Sequence, residues 1–309
     1  MKFPKPLKIG ATIGIVAPAS AGDSDILEKG RCFLEEHGYR VVIHPQCYQR
    51  IGQLAGTDEA RASALMDMFR DPAIDAIMCA RGGNGSIRLL DKLDYPLITQ
   101  NPKPFIGYSD ITLFLQAISK NCDFVTYHGP MLASFGRDFD PRTADDFFAH
   151  IESERGLSTL AVPDVDVLVS GKAEGVLVGG NMTLLQNMVG TPYDWSGRDA
   201  ILFLEDVDEV LYRIDRTLQH FRLAGKFRNV NAVIFGDMID VPDGETSHMR
   251  EGERPYGRNI RQILKDNLPP DIPVCMNFPC GHGKYITTLP IGASVKLTLD
   301  KDGAVLTPS

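Results

Sequence analysis

None of the six cysteines in this 309-residue chain stands in a Cys-x-x-Cys pair, and several lie in apolar runs. That pattern predicts buried free thiols in a reducing compartment rather than a disulfide framework. No His-Glu-x-x-His or comparable ligand spacing is present, so the sequence predicts neither a metal nor an organic cofactor. Basic residues are outnumbered by acids, with a net charge of -8. A partner with a phosphate backbone calls for the opposite balance, so nucleic acid is excluded as a target. No apolar stretch approaches membrane-spanning length. The N-terminal "MKFPKPLKIG" has basic residues but no apolar signal core before the first strand, which predicts a cytoplasmic protein with no membrane contact. Internal repeats and low-complexity tracts are also missing.

What is there is an alternation. "ATIGIVAPAS" reads as a buried strand running into a Pro/Ser loop, and "SDILEKGRCFLEEHG" as a helix that stops at Gly38. "YRVVIHP", "IDAIMCA", "KPFIG" and "FVTYHGP" are further strands, separated by the helical segments "TDEARASALMDMFRDP", "GSIRLLDKL" and "ITLFLQAISK". Strands each followed by a helix predict a parallel sheet covered on both faces, an α/β Rossmann-like domain over residues 1–155. Polar, proline-bearing sequence over 156–174 predicts a linker. Residues 175–309 mix strands, hairpins and helices and predict a smaller, β-rich α+β domain.

In a parallel sheet the working residues collect on loops at the strands' C-terminal ends. Three such loops hold complementary groups: Gly107-Tyr108-Ser109-Asp110, Glu205-Asp206, and Gly281-His282-Gly283. They offer a hydroxyl, a carboxylate and an imidazole. A serine hydroxyl hardly ionises at neutral pH, so an imidazole must take its proton, and a carboxylate must fix the imidazole's tautomer. A Ser-Asp pair at a strand-to-helix turn is also an ordinary helix N-cap. Of the histidines, His37, His44, His150, His220 and His248 read as surface residues. His128 in "TYHGP" competes with His282, whose flanking glycines free its backbone. "CARGGNGSIRLL" lacks the Lys-Ser/Thr of a phosphate loop, and reads either as a capped turn or as an oxyanion hole built on the N–H groups of Gly82 or Gly83. Ser109 follows Gly107 as in a Gly-x-Ser-x-Gly elbow, with Ile111 in place of the last glycine.

Taken together, "GIVAPAS", "ARGGNGSIRLL", "IGYSDIT", "YHGPM", "GVLVGGNMTLL", "LFLEDVDE" and "PCGHG" resemble, in this order, the LD-carboxypeptidases, serine peptidases that include the microcin C self-immunity peptidases. The resemblance runs almost end to end. It implies Ser109 as nucleophile, Glu205 as orienting acid, His282 as base, and an oxyanion hole from the N–H groups of Gly83 and Asp110. It also implies a Rossmann-like domain joined to a β-rich one, a homodimer, and a small peptide substrate, a murein tetrapeptide cut before its terminal D-alanine. Arg81 and Lys284 are candidates for the substrate's free carboxylate. Family members carry an aromatic where Asn84 stands, which leaves the pocket wall open. Two other readings stand beside this one: a peptidase for peptidyl or aminoacyl adenylates, and a non-catalytic domain holding a nucleotide at "RGGNG". Asp206 and Asp208 are expected to be solvated acids at the start of the next helix.

Overall fold

Apart from its leading threonine, the run TIGIV offers no polar side chain, so it needs cover on both faces. It finds that cover as strand β1 (Thr12–Val16), every residue buried. In the computed structural model, which describes residues 1–241 and 256–309, the first half alternates as expected. Helix α1 (Ser24–Glu36), β2 (Arg40–Ile43), α2 (Asp58–Arg70), β3 (Ala76–Cys79), α3 (Tyr95–Gln100), β4 (Phe105–Gly107), α4 (Thr112–Cys122) and β5 (Thr126–His128) follow one another. The two helices α1 and α2 are capped locally: Asp23 accepts from the Asp25 and Ile26 N–H groups, and Thr57 from Ala60 N–H. The segment "GSIRLLDKL" forms a 3-10 helix over Ser86–Lys92.

Two short helices, α5 (Leu132–Phe135) and α6 (Arg142–Ile151), lead into the second half. There the chain forms β6 (Leu160–Val162), β7 (Asp166–Val169), β8 (Gly171–Asn181), α7 (Met182–Met188), β9 (Ala200–Val207), α8 (Leu211–Leu223) and β10 (Val230–Ile239). It closes with α9 (Ile260–Asn267), β11 (Val274–Phe278), β12 (Leu289–Ile291), β13 (Ser294–Asp300) and β14 (Gly303–Pro308). Among the described residues these strands make two sheets, ordered β12-β5-β4-β3-β1-β2 and β6-β14-β13-β8-β9-β10-β11-β7. Neighbours among β1–β5 run parallel, and so do β8, β9, β10 and β11.

Three features differ from the sequence reading. The stretch 156–174 is not open chain, since β6 and β7 lie within it and form the two edges of the second sheet. The second sheet has a parallel centre flanked by antiparallel strands, because β8, β9 and β10 are joined through helices α7 and α8. And β12 leaves the second half to pair antiparallel with β5 in the first sheet. Helix α4 sits where the halves meet, with its residues from Thr112 to Ser119 all buried. Gln116 Nε2 donates to Gly179 O at 2.6 Å, and Thr112 Oγ1 accepts from Asn181 N–H at 3.1 Å. A Cβ on Gly180 would lie 2.6 Å from Thr112 Cγ2, so the glycine pair of "VGGN" is what lets α4 approach β8. Five of the cysteines are buried as free thiols; Cys32 is exposed.

Candidate active site

Ser109 opens a 3-10 turn, Ser109–Ile111, directly after β4, and its φ is 62°, in the left-handed region that L-residues seldom occupy. The turn has no side-chain N-cap, which removes the ordinary capping reading. The backbone conformation projects the serine out of the strand instead. Gly107 accommodates the turn: a Cβ there would lie 2.7 Å from Ile111 Cγ2, so Ile111 folds back over it. That packing accounts for an isoleucine where an elbow would have its last glycine. Asp110 is buried and its carboxylate accepts from Ser86 N–H at 2.9 Å, which ties the Ser109 turn to the end of the glycine loop. Sequence reading had not assigned that side chain a task.

The glycine loop lies against Ser109. A Cβ on Gly82 would sit 2.9 Å from Ser109 Cβ, 3.1 Å from its Oγ and 3.5 Å from Asp110 N. Gly83 has φ +116°, and Ser20, from the "APAS" loop after β1, holds this segment by accepting from Asn84 N–H at 3.1 Å. The Asn84 side chain donates to Gln53 Oε1 at 2.8 Å. Among the described residues, the N–H groups of Gly83 and Asp110 donate to no other backbone group. Two free N–H donors beside a serine are what a developing oxyanion needs.

His282 and Glu205 come from the second half. Glu205 lies near the C-terminal end of β9, fully buried, and its Oε2 is 2.9 Å from His282 Nδ1. A carboxylate can only accept, so Nδ1 carries the proton and Nε2 is left with a lone pair. His282 is 18% exposed, enough to meet a substrate. Burial depresses the imidazole's pKa, but the Glu205 hydrogen bond and charge, with Asp206 and Asp237 behind them, outweigh it and raise it above its ordinary value. Tyr108 packs edge-on against the His282 ring, with centroids 5.1 Å apart, which brings the Ser109 turn and the histidine loop together.

The glycines around His282 work by close approach rather than by unusual angles, since neither is among the positive-φ residues. A Cβ on Gly281 would lie 2.8 Å from Asp237 O, and one on Gly283 2.9 Å from Asp237 Oδ2. Asp237, in β10, thus packs directly against both glycines and so fixes the loop. Burial pushes its carboxyl up to about 6, against the lowering effect of the neighbouring glycine N–H groups. Sequence reading missed Asp237; the only signal was an acid directly after the apolar run 232–236 of β10.

His128 is fully buried and braces the loop. Its Nε2 lies 2.6 Å from Cys280 O, and because a carbonyl only accepts, Nε2 is the donor. Asp206 corrects the expectation of a solvated acid. It is 4% exposed, and its carboxylate accepts from Asn181 Nδ2, Thr183 N–H and Thr183 Oγ1 at 2.9–3.1 Å, holding the first turn of α7. Asp208 is exposed, as expected. His150 is a second correction: it is buried, with Nδ1 2.6 Å from Asp146 O. His248 lies outside the described residues. Arg81 is half-buried, with Nη1 3.3 Å from Ala21 O. Lys284 is exposed, its Nζ paired with Asp138.

Residues 13–129 match the LD-carboxypeptidase N-terminal domain, and residues 174–297 the LD-carboxypeptidase C-terminal domain. The chain is 36% identical over 307 residues to a probable murein peptide carboxypeptidase of Bacillus subtilis, covering 98% of this chain and 93% of that one. Two solved structures resemble it closely. An MccF-like protein of Bacillus anthracis superposes with a TM-score of 0.87 at 27% identity, covering 100% of this chain and 99% of the other. A muramoyltetrapeptide carboxypeptidase of Oxalobacter formigenes does so with 0.80 at 30% identity, covering 96% and 97%. With both domain matches in order and the relatives aligned nearly end to end, this chain belongs to the LD-carboxypeptidase family.

Proposed function

We propose that the protein is a serine LD-carboxypeptidase that hydrolyses the L,D bond before the terminal D-alanine of murein tetrapeptides. The observation that carries this reading is the His282–Glu205 pair, polarised with its proton on Nδ1 and packed against Tyr108, whose neighbour Ser109 is held in a left-handed turn beside two free N–H groups. In this reading His282 Nε2 takes the Ser109 proton as Oγ attacks the scissile carbonyl carbon. Glu205 stabilises the imidazolium, and the N–H groups of Gly83 and Asp110 receive the oxyanion. The imidazolium then protonates the leaving amine, D-alanine departs, and water activated by the same nitrogen releases the acyl group from Ser109. Gly82 and Asn84 line the approach, and Arg81 is the cation best placed for the free carboxylate, because the charge of Lys284 is already matched by Asp138. No step requires a metal or an organic cofactor.

The nucleophile belongs to residues 1–155 and the acid and base to 175–309, with the boundary in 156–174. A cytoplasmic location, a homodimer, and the absence of nucleic-acid or membrane partners complete the proposal. The likeness to an MccF-like protein favours a second reading, cleavage of peptidyl or aminoacyl adenylates. Rates on a murein tetrapeptide and on an aminoacyl sulfamoyl or peptidyl adenylate, measured side by side, separate the two. The first reading requires the tetrapeptide to be the better substrate in kcat/KM.

A further inference from the structure

A protein with 40 acids and 32 Lys and Arg has carboxylates to spare for its cations. Elsewhere in the fold clustered arginines use them: Arg61 and Arg88 both ion-pair with Asp58. One cluster does not. Arg81, immediately before Gly82, reaches Ala21 O with Nη1 at 3.3 Å, and Arg50 reaches the next carbonyl, Gly22 O, with Nη2 at 3.1 Å. Two guanidinium groups are therefore fastened side by side to consecutive carbonyls. Each spends one N–H there out of the five it can donate. Among the described residues neither forms an ion pair with an acid, and nor does Arg137.

The cluster adjoins the Ser109 turn. Arg81 is the residue before the glycine whose Cβ would touch Ser109. Arg137 follows α5, its N–H donating to Ser134 O, and the charges of Arg137 and Arg81 both act on Tyr108, the residue before Ser109. The three like charges sense one another: burial first, then Arg137 and Arg50, push the Arg81 guanidinium below its ordinary pKa. Uncompensated positive charges held near a reacting centre stabilise a fold poorly. They are suited to a ligand that brings the missing negative charge, and a pair of guanidinium forks matches the two oxygens of a carboxylate.

We infer that Arg50 and Arg81 together form a carboxylate subsite that grips the free C-terminal carboxylate of the substrate, with Arg137 adding to the attraction. The inference rests on the reading of Ser109 as nucleophile and makes the enzyme a strict carboxypeptidase, one that rejects the same peptide when its C-terminus is an amide. The subsite explains selection of an exopeptidase substrate by its charge.

The test compares a murein tetrapeptide with its C-terminal carboxamide. On the free acid, Arg81→Gln is expected to raise KM about ten- to a hundredfold, and Arg50→Gln about three- to tenfold, with kcat within a few fold, because charge-assisted hydrogen bonds to a carboxylate are lost. On the carboxamide, wild type and both variants should be equally poor. Arg81→Lys, which keeps the charge but not the fork, should fall between, and thermal melts of all variants report folding. Equal losses on acid and amide, or a fall in kcat with KM unchanged, would overturn the subsite. If wild type hydrolyses no tetrapeptide at all, the proposed function fails by itself, and the subsite is judged by calorimetric binding to Ser109→Ala. There, acid binding over amide that vanishes in Arg81→Gln supports it, and no acid–amide difference rejects it.

Discussion

Two adjacent acids, Glu205 and Asp206, read alike in sequence and do different work. Alternation along β9 sends their side chains to opposite faces. Glu205 meets His282 and Asp206 meets the start of α7. Glu205→Gln should lower turnover by about two to four orders of magnitude with substrate affinity nearly unchanged, because an orienting acid acts on the transition state. Single-turnover kinetics measures it. Asp206→Asn should act on stability instead. Burial, then the Glu205 charge, raise the Asp206 carboxyl from 3.8 to about 6, so between these values the folded state holds a proton that the unfolded state has released. Wild-type stability therefore falls as pH rises through that window, and Asp206→Asn escapes the loss. Its stability relative to wild type should improve by up to about 3 kcal/mol between pH 4 and pH 7 in urea titrations. That Ser109, Glu205 and His282 lie on loops after apolar strands was legible in the sequence, but strand position alone did not separate His282 from His128. The burial of Asp206 was not legible, since nothing local announces that Asn181 at the end of β8 and Thr183 in α7 will claim it.

At the scale of elements, the site is an assembly of loops held by side chains that never meet substrate. The glycine loop is pinned by Ser20 and Asp110, the histidine loop by Asp237 and His128. Gly82→Ala should place a methyl 2.9 Å from Ser109 Cβ, displacing Ser109, the proposed nucleophile, while the fold has room to persist. The expected result is a loss on the order of a hundredfold in kcat with little change in Tm, seen by paired kinetics and thermal melts. Asp237→Asn gives a different signature. Its charge helps raise the His282 pKa, and the base works only when neutral, so removing the charge should move the acid limb of kcat/KM to lower pH. A loop-bracing role alone would lower the rate at every pH and leave the limb in place. Strand-and-loop alternation was readable from the sequence for most of these elements. The cross-braces were not, because residues such as Asp237 and Gly283 are brought together by sheet order rather than by any local pattern.

For the whole molecule, the two halves share structure rather than merely touch. β12 completes the edge of the first sheet beside β5, and α4 is buried against β8 of the second. The proposed triad, split between the halves, needs such rigidity, since a displacement of about 1 Å can cost a hundredfold in rate. The sequence showed two regions and their fold classes, but β12 reads as one of several short β-segments, and its sheet cannot be told from a three-residue run. Residues 1–155 expressed alone would expose the α4 face and the β5 edge, and are expected to aggregate or remain unfolded. The full chain should melt in one calorimetric transition. Two separated transitions, or a well-folded fragment by near-ultraviolet circular dichroism, would show the halves to be independent.

The central claim, that Ser109 and His282 act as one unit on an L,D bond, is tested most directly by mass spectrometry of a murein tetrapeptide incubated with four proteins: wild type, Ser109→Ala, His282→Ala and the double variant. The account predicts conversion to tripeptide and D-alanine by wild type. Each single variant should be slower by several orders of magnitude, and the double variant little slower than either single. Tripeptide formed at the wild-type rate by Ser109→Ala, or losses that multiply in the double variant, would contradict it.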